Sequence, residues 1–336
     1  MAMRIGINGL GRIGRMIIRS IFENNIYKNL EIKHINSRSD IETLVNLIKY
    51  DSVHGIFAKK IRFDKSNIII NEKKIAYTRA DKIEDINWKN NKIDIVLECT
   101  GKFNSKEYLT SHLKNGAKKV LVSAPCINSD ITVVYGINHT KLKDKHKIIS
   151  AGSCTTNCLA PVVDTLNNKF GIISGFMTTI HSYTSDQRLL DNSHKDPRRA
   201  RSASQSIVPT STGASKSINE IIPKLRNKLD GIAMRVPTPN VSLIEFVFNT
   251  KKKISIKILN EAFEKVSDSK LKDVLNVSKE KLVSIDYNHN SYSAIIDCSL
   301  TKVIGNNMGK VTAWYDNEWG FSNRMCDITN YIHKNV

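Results

Sequence analysis

Acidic side chains are scarce in this chain, tryptophan is scarcer, and no two cysteines stand at the spacing of a metal or redox motif. Asp and Glu number 32 against 51 Lys and Arg in 336 residues, a formal net charge of +19. Such an excess can mark a binder of nucleic acid or of small anions. The lysines are nevertheless scattered among Ile and Asn, as in KSNIIINEKKIAY at 65–77, with no basic tail or stripe. A lysine-rich solvated surface is the simpler reading, with nucleic-acid binding at most weak and non-specific. Cys99, Cys126, Cys154, Cys158, Cys298 and Cys326 include no CxxC pair, which argues against a disulfide framework and fits a reducing compartment. No metal is expected. Nothing approaches the roughly 18 consecutive apolar residues of a membrane span, and MAMRIGINGLGRIGRMIIRS lacks the order of a signal peptide. The expectation is a cytoplasmic protein, and the length suggests two domains.

RIGINGLGRIGRMIIRSIF runs from a short strand pattern through Gly9, Gly11 and Gly14 into Ile13, Met16, Ile17 and Ile21 at helical spacing. That is GxGxxG between a strand and a helix. Glycines there let the backbone turn tightly and approach a pyrophosphate, whose charge rests on the free N–H groups of the helix N-terminus. LEIKHIN reads as the second strand, and at its end stand Asn36, Ser37 and Arg38, with no carboxylate placed for ribose hydroxyls. SDIE at 39–42 has capping-box spacing, which makes Asp40 a first-turn residue. Further strands are expected at 94–101, 118–125, 131–138 and 146–153. This alternation predicts a doubly wound, mostly parallel sheet, with Thr100–Phe103 and Ser123–Ala124 lining its crevice.

SAGSCTTNCLAP, at 150–161, places Cys154 where a strand ends and a helix begins. A thiol at a helix N-terminus gains thiolate stabilisation from the dipole and free N–H groups. It still needs a base or cation nearby to ionise at neutral pH. His181, ending the apolar run in MTTIHSYTSDQR, is the candidate. Cys158, one turn on, reads as a small buried apolar residue.

INGLGRIGR, KYDSVHG, ECTGKF, SCTTNCLAP, TTIHSYTSDQR, HKDPRRARSASQSIVPTSTGASK, MRVPTPNVS and WYDNEWGFSNR together make the chain resemble the phosphorylating glyceraldehyde-3-phosphate dehydrogenase family from end to end. The resemblance implies an α/β protein: a Rossmann domain over 1–152, an α+β catalytic domain with a mixed or antiparallel sheet over 153–318, and a C-terminal helix over 319–336 returning to the first. It implies a homotetramer acting on glyceraldehyde 3-phosphate and inorganic phosphate with NAD or NADP. Cys154 would attack the aldehyde and His181 would handle the protons. Ser153, Thr155, Thr212 and Gly213 would hold the attacking phosphate, and Thr184 with Arg235 the substrate phosphate. The coenzyme would meet Gly9, Gly11, Arg12, Ile13, Gly14, Asn36, Ser37, Arg38, Arg79, Thr100, Gly101 and Ser123, with Asn317 on the nicotinamide carboxamide. The loop at 182–206, with Arg198, Arg199 and Arg201, would serve a subunit contact.

NAD-specific members usually carry Asp where Ser37 stands. With that repulsive carboxylate missing and Arg38 following, acceptance of NADP is expected as readily as a neutral grip on NAD. Erythrose-4-phosphate dehydrogenase is the alternative reaction, opposed by the retained Tyr183, Thr184, Thr212 and Gly213. The alternative from another class is a basic nucleic-acid-binding protein with a second role.

Overall fold

The computed structural model describes residues 2–336 and divides into two compact units, one running to Ser153 and resuming at Ser322, the other spanning Cys154–Phe321.

The first unit is built on a nine-stranded sheet. Its central strand, Met3–Asn8, pairs in parallel with Leu30–Asn36 on one side and Ile95–Glu98 on the other. Lys119–Val122 and Ile148–Ser150 extend the parallel ladder beyond Ile95–Glu98. The chain winds outward through Leu30–Asn36 and Lys73–Thr78, then returns to the other flank. The strand order therefore reverses beside Met3–Asn8, where such sheets open a crevice at their carboxyl ends. Ile5, Ile7, Val96, Leu97, Val120 and Leu121 are all fully buried, as expected of strands covered on both faces. Helix α1 (Arg12–Glu23) buries Met16, Ile17 and Ile21. Helix α7 (Trp319–Asn335) joins this unit from Ser322 onward. There the Ser20 hydroxyl donates to Asn323 Oδ1 at 2.9 Å and Tyr27 Oη to Asp327 at 2.8 Å.

Two local expectations need correction. Within 131–138 only Ile131–Thr132 is strand. Asn138 Oδ1 accepts the Val134 N–H, and Gly136 has φ +82°, so a turn replaces the ladder. Helix α2 (Ile41–Lys49) is capped by Asp40, whose carboxylate accepts the Thr43 N–H, so the cap falls one residue later than the SDIE spacing suggests. The lysine-rich KSNIIINEKKIAY forms an antiparallel hairpin, Asn67–Ile70 with Lys73–Thr78, turning through Asn71 and Glu72 at positive φ.

The second unit carries an eight-stranded mixed sheet. Ile172–Ser182 is an interior strand, parallel to Leu229–Val236 and antiparallel to Ser242–Thr250. Helix α4 (Cys154–Phe170) packs on this sheet through Cys158, Leu159, Val162, Val163 and Leu166, all fully buried. Parallel register sets His181 opposite Arg235. That pairing brings a base and a guanidinium to the end of two neighbouring strands, close to where α4 begins.

Candidate active site and coenzyme crevice

Cys154 opens helix α4, and its Sγ lies 3.5 Å from His181 Nε2. On the other edge of the ring, Nδ1 is 2.7 Å from the Ser182 carbonyl oxygen and 2.7 Å from Arg235 Nη1, while Nη1 also donates to Ser182 O at 2.9 Å. Burial lowers the proton affinity of His181, and the Arg235 charge adds to it, so its pKa is pushed down to about 3. Burial likewise pushes the Cys154 thiol up, against Arg235 and the Thr155 hydrogen bonds that favour the thiolate. At the sulfur, desolvation therefore works against the helix N-terminus.

Thr155 is buried, and its hydroxyl also meets Tyr315 Oη at 2.9 Å, which in turn meets Thr179 Oγ1 at 3.0 Å. Ser153 is the last residue before α4 and belongs to the first unit. Thr212 Oγ1 accepts the Ala214 N–H at 3.3 Å, and Gly213 precedes helix α5 (Ala214–Ile221). A Cβ added at Gly213 would meet nothing within 4 Å, so the backbone there is open. The Thr184 carbonyl oxygen closes a turn onto the Gln187 N–H. Among the described residues, hydrogen bonds join Cys154, His181 and Arg235 but link none of Thr184, Thr212 and Gly213 to them. The side-chain Nε of Arg235 is buried without a hydrogen-bond partner. Asn317 Oδ1 accepts from Ser182 Oγ and Ser242 Oγ, each at 2.9 Å, which fixes the amide with its donor side turned away from both serines. In the loop after Ser182, Arg199 pairs with Asp186 and Arg201 with Asp191, at 2.5 and 2.7 Å.

The first unit holds a cavity of about 360 Å³ at the strand-order reversal. Gly9, Gly11, Asn36, Ser37, Arg38 and Thr100 line it, together with Ala80, Asp81, Ile83 and Phe103. Gly9 needs its φ of +91°, and a Cβ there would press on the Thr100 backbone at 2.7 Å. At Gly14 a Cβ would strike the Gly9 carbonyl oxygen, so that glycine serves the packing of helix on turn. Gly11 differs: nothing lies within 4 Å of an added Cβ, and no side chain caps α1. An open backbone over free N–H groups, with no acid in the helix's first turn, fits the pyrophosphate of a dinucleotide.

Several of the expected residues stand outside the cavity lining. The Arg12 guanidinium clasps Asp51 at 2.5 and 3.0 Å. Ile13, Gly101 and Ser123 are outside the cavity lining, and Arg79 borders an adjoining open depression with Arg38, Ser39 and Asp81. Asn36 forms the wall, yet its amide is fully engaged. It donates to Asn8 Oδ1 and the Ala80 carbonyl, and accepts from Thr78 Oγ1 and the Ala80 N–H.

Two residues escaped the sequence reading. Asp81 pairs with Arg38 Nε at 2.8 Å, bringing a carboxylate to the cavity from a segment with no motif of its own. Glu98 is 1% exposed and holds the crevice floor. It accepts from Asn8 Nδ2 at 2.7 Å, from the N–H and hydroxyl of Thr100, and from His112 Nε2 at 3.1 Å. The Trp88 indole donates to His112 Nδ1 at 2.9 Å, which leaves the imidazole proton on Nε2, facing Glu98. The word ECTG was the available signal for Glu98, because a carboxylate ending an apolar strand must find donors.

Family models match both units: the glyceraldehyde 3-phosphate dehydrogenase NAD binding domain over residues 3–106, and the C-terminal domain of the same enzyme over 153–317. Glyceraldehyde-3-phosphate dehydrogenase of Geobacillus stearothermophilus is 46% identical over 333 residues, covering 99% of this chain and 98% of the relative. The chain belongs to the glyceraldehyde-3-phosphate dehydrogenase family. The same-named protein of Priestia megaterium is 47% identical over 99% of this chain and 98% of its own length. Glyceraldehyde-3-phosphate dehydrogenase 2 of Nostoc sp. is 48% identical over 98% of each. Membership makes this an oxidoreductase with an NAD-type coenzyme, which agrees with the glycine-lined crevice. Among the described residues no helix is long and apolar enough to cross a membrane.

Proposed function

We propose that the chain oxidises glyceraldehyde 3-phosphate to 1,3-bisphosphoglycerate, with inorganic phosphate as co-substrate and through a covalent bond to Cys154. The observation that carries this reading is the Cys154 Sγ to His181 Nε2 approach of 3.5 Å with Arg235 beside the same ring. Cys154 Sγ adds to the aldehyde carbon and forms a thiohemiacetal. The developing oxyanion has donors in the backbone N–H groups at the start of α4 and in the His181 ring. His181 Nε2 then takes the hydroxyl proton as that carbon is oxidised to the thioester. An NAD-type coenzyme bound in the crevice supplies the hydride acceptor. Gly9 and Gly11 would give it a close backbone approach, and Asn317, its Oδ1 held by two serines, would have its amide N–H groups left for a carboxamide. Inorganic phosphate attacks the thioester and frees Cys154. Arg235 grips the phosphates, since its planar fork matches their oxygens, and Ser153, Thr155, Thr184, Thr212 and Gly213 complete the anion sites.

The finer coenzyme reading is that NADP is accepted beside NAD. Arg38 and Arg79 border an open depression of about 520 Å³ next to Ser37, where a carboxylate would repel a 2′-phosphate. Asp81 opposes this by pairing with Arg38, so the preference is expected to be modest. A homotetramer in the cytoplasm completes the reading. Ile173, Phe176, Ile304 and Met308, exposed on strands of the second unit, support self-association.

Initial rates with NAD and NADP, with and without phosphate, test the whole reading on wild type and Cys154→Ser. Phosphate-dependent reduction of either coenzyme is expected, lost by roughly 10⁴-fold in the serine variant. Retained oxidation in Cys154→Ser contradicts the covalent route. A strong NAD preference unchanged by Arg38→Ala removes the NADP reading alone.

A further inference from the structure

The wall of the coenzyme crevice is one stretch of a longer run of buried hydrogen bonds, and a single backbone group fixes where its protons lie. The Ala80 N–H can only donate, and it donates to Asn36 Oδ1 at 2.9 Å, which sets the orientation of that amide. Thr78 Oγ1, 2.8 Å from the same oxygen, must then give its one proton there. His34 Nε2, 2.9 Å from Thr78 Oγ1, is left as the donor to it. Burial pushes His34 down to about 4, so the ring is neutral at neutral pH and its bare Nδ1 accepts from Asn91 Nδ2 at 3.3 Å. On the other side Asn36 Nδ2 donates to Asn8 Oδ1 at 3.0 Å, and Asn8 Nδ2 to Glu98 Oε2 at 2.7 Å. Glu98 also receives His112 Nε2–H, while His112 Nδ1 takes the Trp88 proton. Every donor therefore points toward Glu98, from one histidine at each end. The ends close on Trp88, whose ring centre lies 4.8 Å from that of His34 and 5.7 Å from that of His112.

We propose that His34 is a remote positioning residue for the coenzyme, acting through Thr78 and Asn36 on the strand ends that carry the crevice. Register sets Thr78 opposite Asn36, Asn36 opposite Asn8, and Asn8 opposite Glu98, so the run crosses four neighbouring parallel strands at their last residues. Ser37, Gly9 and Thr100, in the loops just beyond three of those ends, line the cavity. A chain of donors across the strand ends holds the spacing of these loops, and with it the shape of the crevice floor. His34 is buried two residues before Asn36, on the same face of its strand, and lies outside the cavity lining. Without its N–H, Thr78 Oγ1 loses the donor that holds it against Asn36. This role rests on the reading of the crevice as the coenzyme site.

The test compares coenzyme KM and kcat in His34→Phe, which keeps a ring for Trp88 and deletes the donor, and in His34→Gln, which returns an N–H. His34→Phe is expected to raise coenzyme KM by roughly five- to tenfold with kcat little changed, and His34→Gln to restore most of the loss. Thr78→Val breaks the next link, so adding it to His34→Phe is expected to raise KM little further. Folded His34→Phe and Thr78→Val proteins with lowered melting temperature and wild-type KM overturn the proposal, as do two effects that simply add. Gly11→Val, placed where an added Cβ meets no protein atom within 4 Å, checks the crevice itself. A coenzyme KM unmoved in that variant overturns the crevice reading together with the proposal, whereas a KM raised there and unmoved in the His34 and Thr78 variants overturns the proposal alone. Nitrogen NMR of the histidine-labelled wild type is expected to show His34 and His112 both protonated on Nε2. A His34 ring protonated on Nδ1 overturns the chain, whether or not the variants fold.

Discussion

The coenzyme crevice and the thiol centre are built on opposite principles. Around the crevice, buried polar groups are closed on one another: Asn36 has all of its amide contacts within the protein, and Glu98 gathers donors from Asn8, Thr100 and His112. Around Cys154 the contacts are short but mutually exclusive, and Arg235 Nε has no partner. A saturated network fixes shape, which a binding surface needs. An unsatisfied one can exchange protons and partners, which chemistry needs. Changes in the crevice should therefore act on stability and coenzyme KM, and changes at the thiol centre on kcat.

The largest contrast is expected from His181→Asn. Loss of the base should lower kcat by roughly 10²- to 10⁴-fold with little change in melting temperature, as steady-state kinetics beside calorimetry will show. Glu98→Gln should do the reverse. Replacing an acceptor of several hydrogen bonds by an amide leaves buried donors facing each other, at a cost of about 2 to 3 kcal/mol in denaturant unfolding, with a raised coenzyme KM and kcat nearly unchanged. If both variants shift stability and kcat alike, the division between the two regions fails.

Acid should expose what the regions share. Burial pushes His34, in the first unit, down to about 4, and His181, in the second, to about 3. Between these values and the ordinary histidine value near ~6.5, the unfolded chain binds protons that the native chain does not. Stability must then rise with pH across that window and fall as pH drops through it, by up to about 1.4 kcal/mol per pH unit for each histidine. Urea unfolding at several pH values checks the slope, and His34→Asn should remove one share of it. The smallest effect is that of Asp40→Ala, which deletes the α2 cap outside both regions and should lower the melting temperature slightly, with kinetics unchanged.

Much of this was readable from residue order. The strand–glycine–helix word foretold α1, its cradle and the parallel sheet, because local geometry and periodicity carry that information. Cys154 and His181 were legible as a pair through the resemblance, 27 residues apart in sequence. Asp81, and the clasp of Arg12 on Asp51, were not, since they depend on where separate turns meet in space. The surroundings of the thiol were only half legible for a related reason. A helix N-terminus is visible in sequence, whereas the burial that opposes it arises only when sheet and helix close around the sulfur.

The covalent role of Cys154 is tested most directly by rapid-quench mass spectrometry of the protein mixed with glyceraldehyde 3-phosphate and oxidised coenzyme, with phosphate withheld. An acyl adduct on Cys154 that accumulates, and disappears on adding phosphate, is the expected result. Coenzyme reduction with residue 154 unmodified throughout would contradict it.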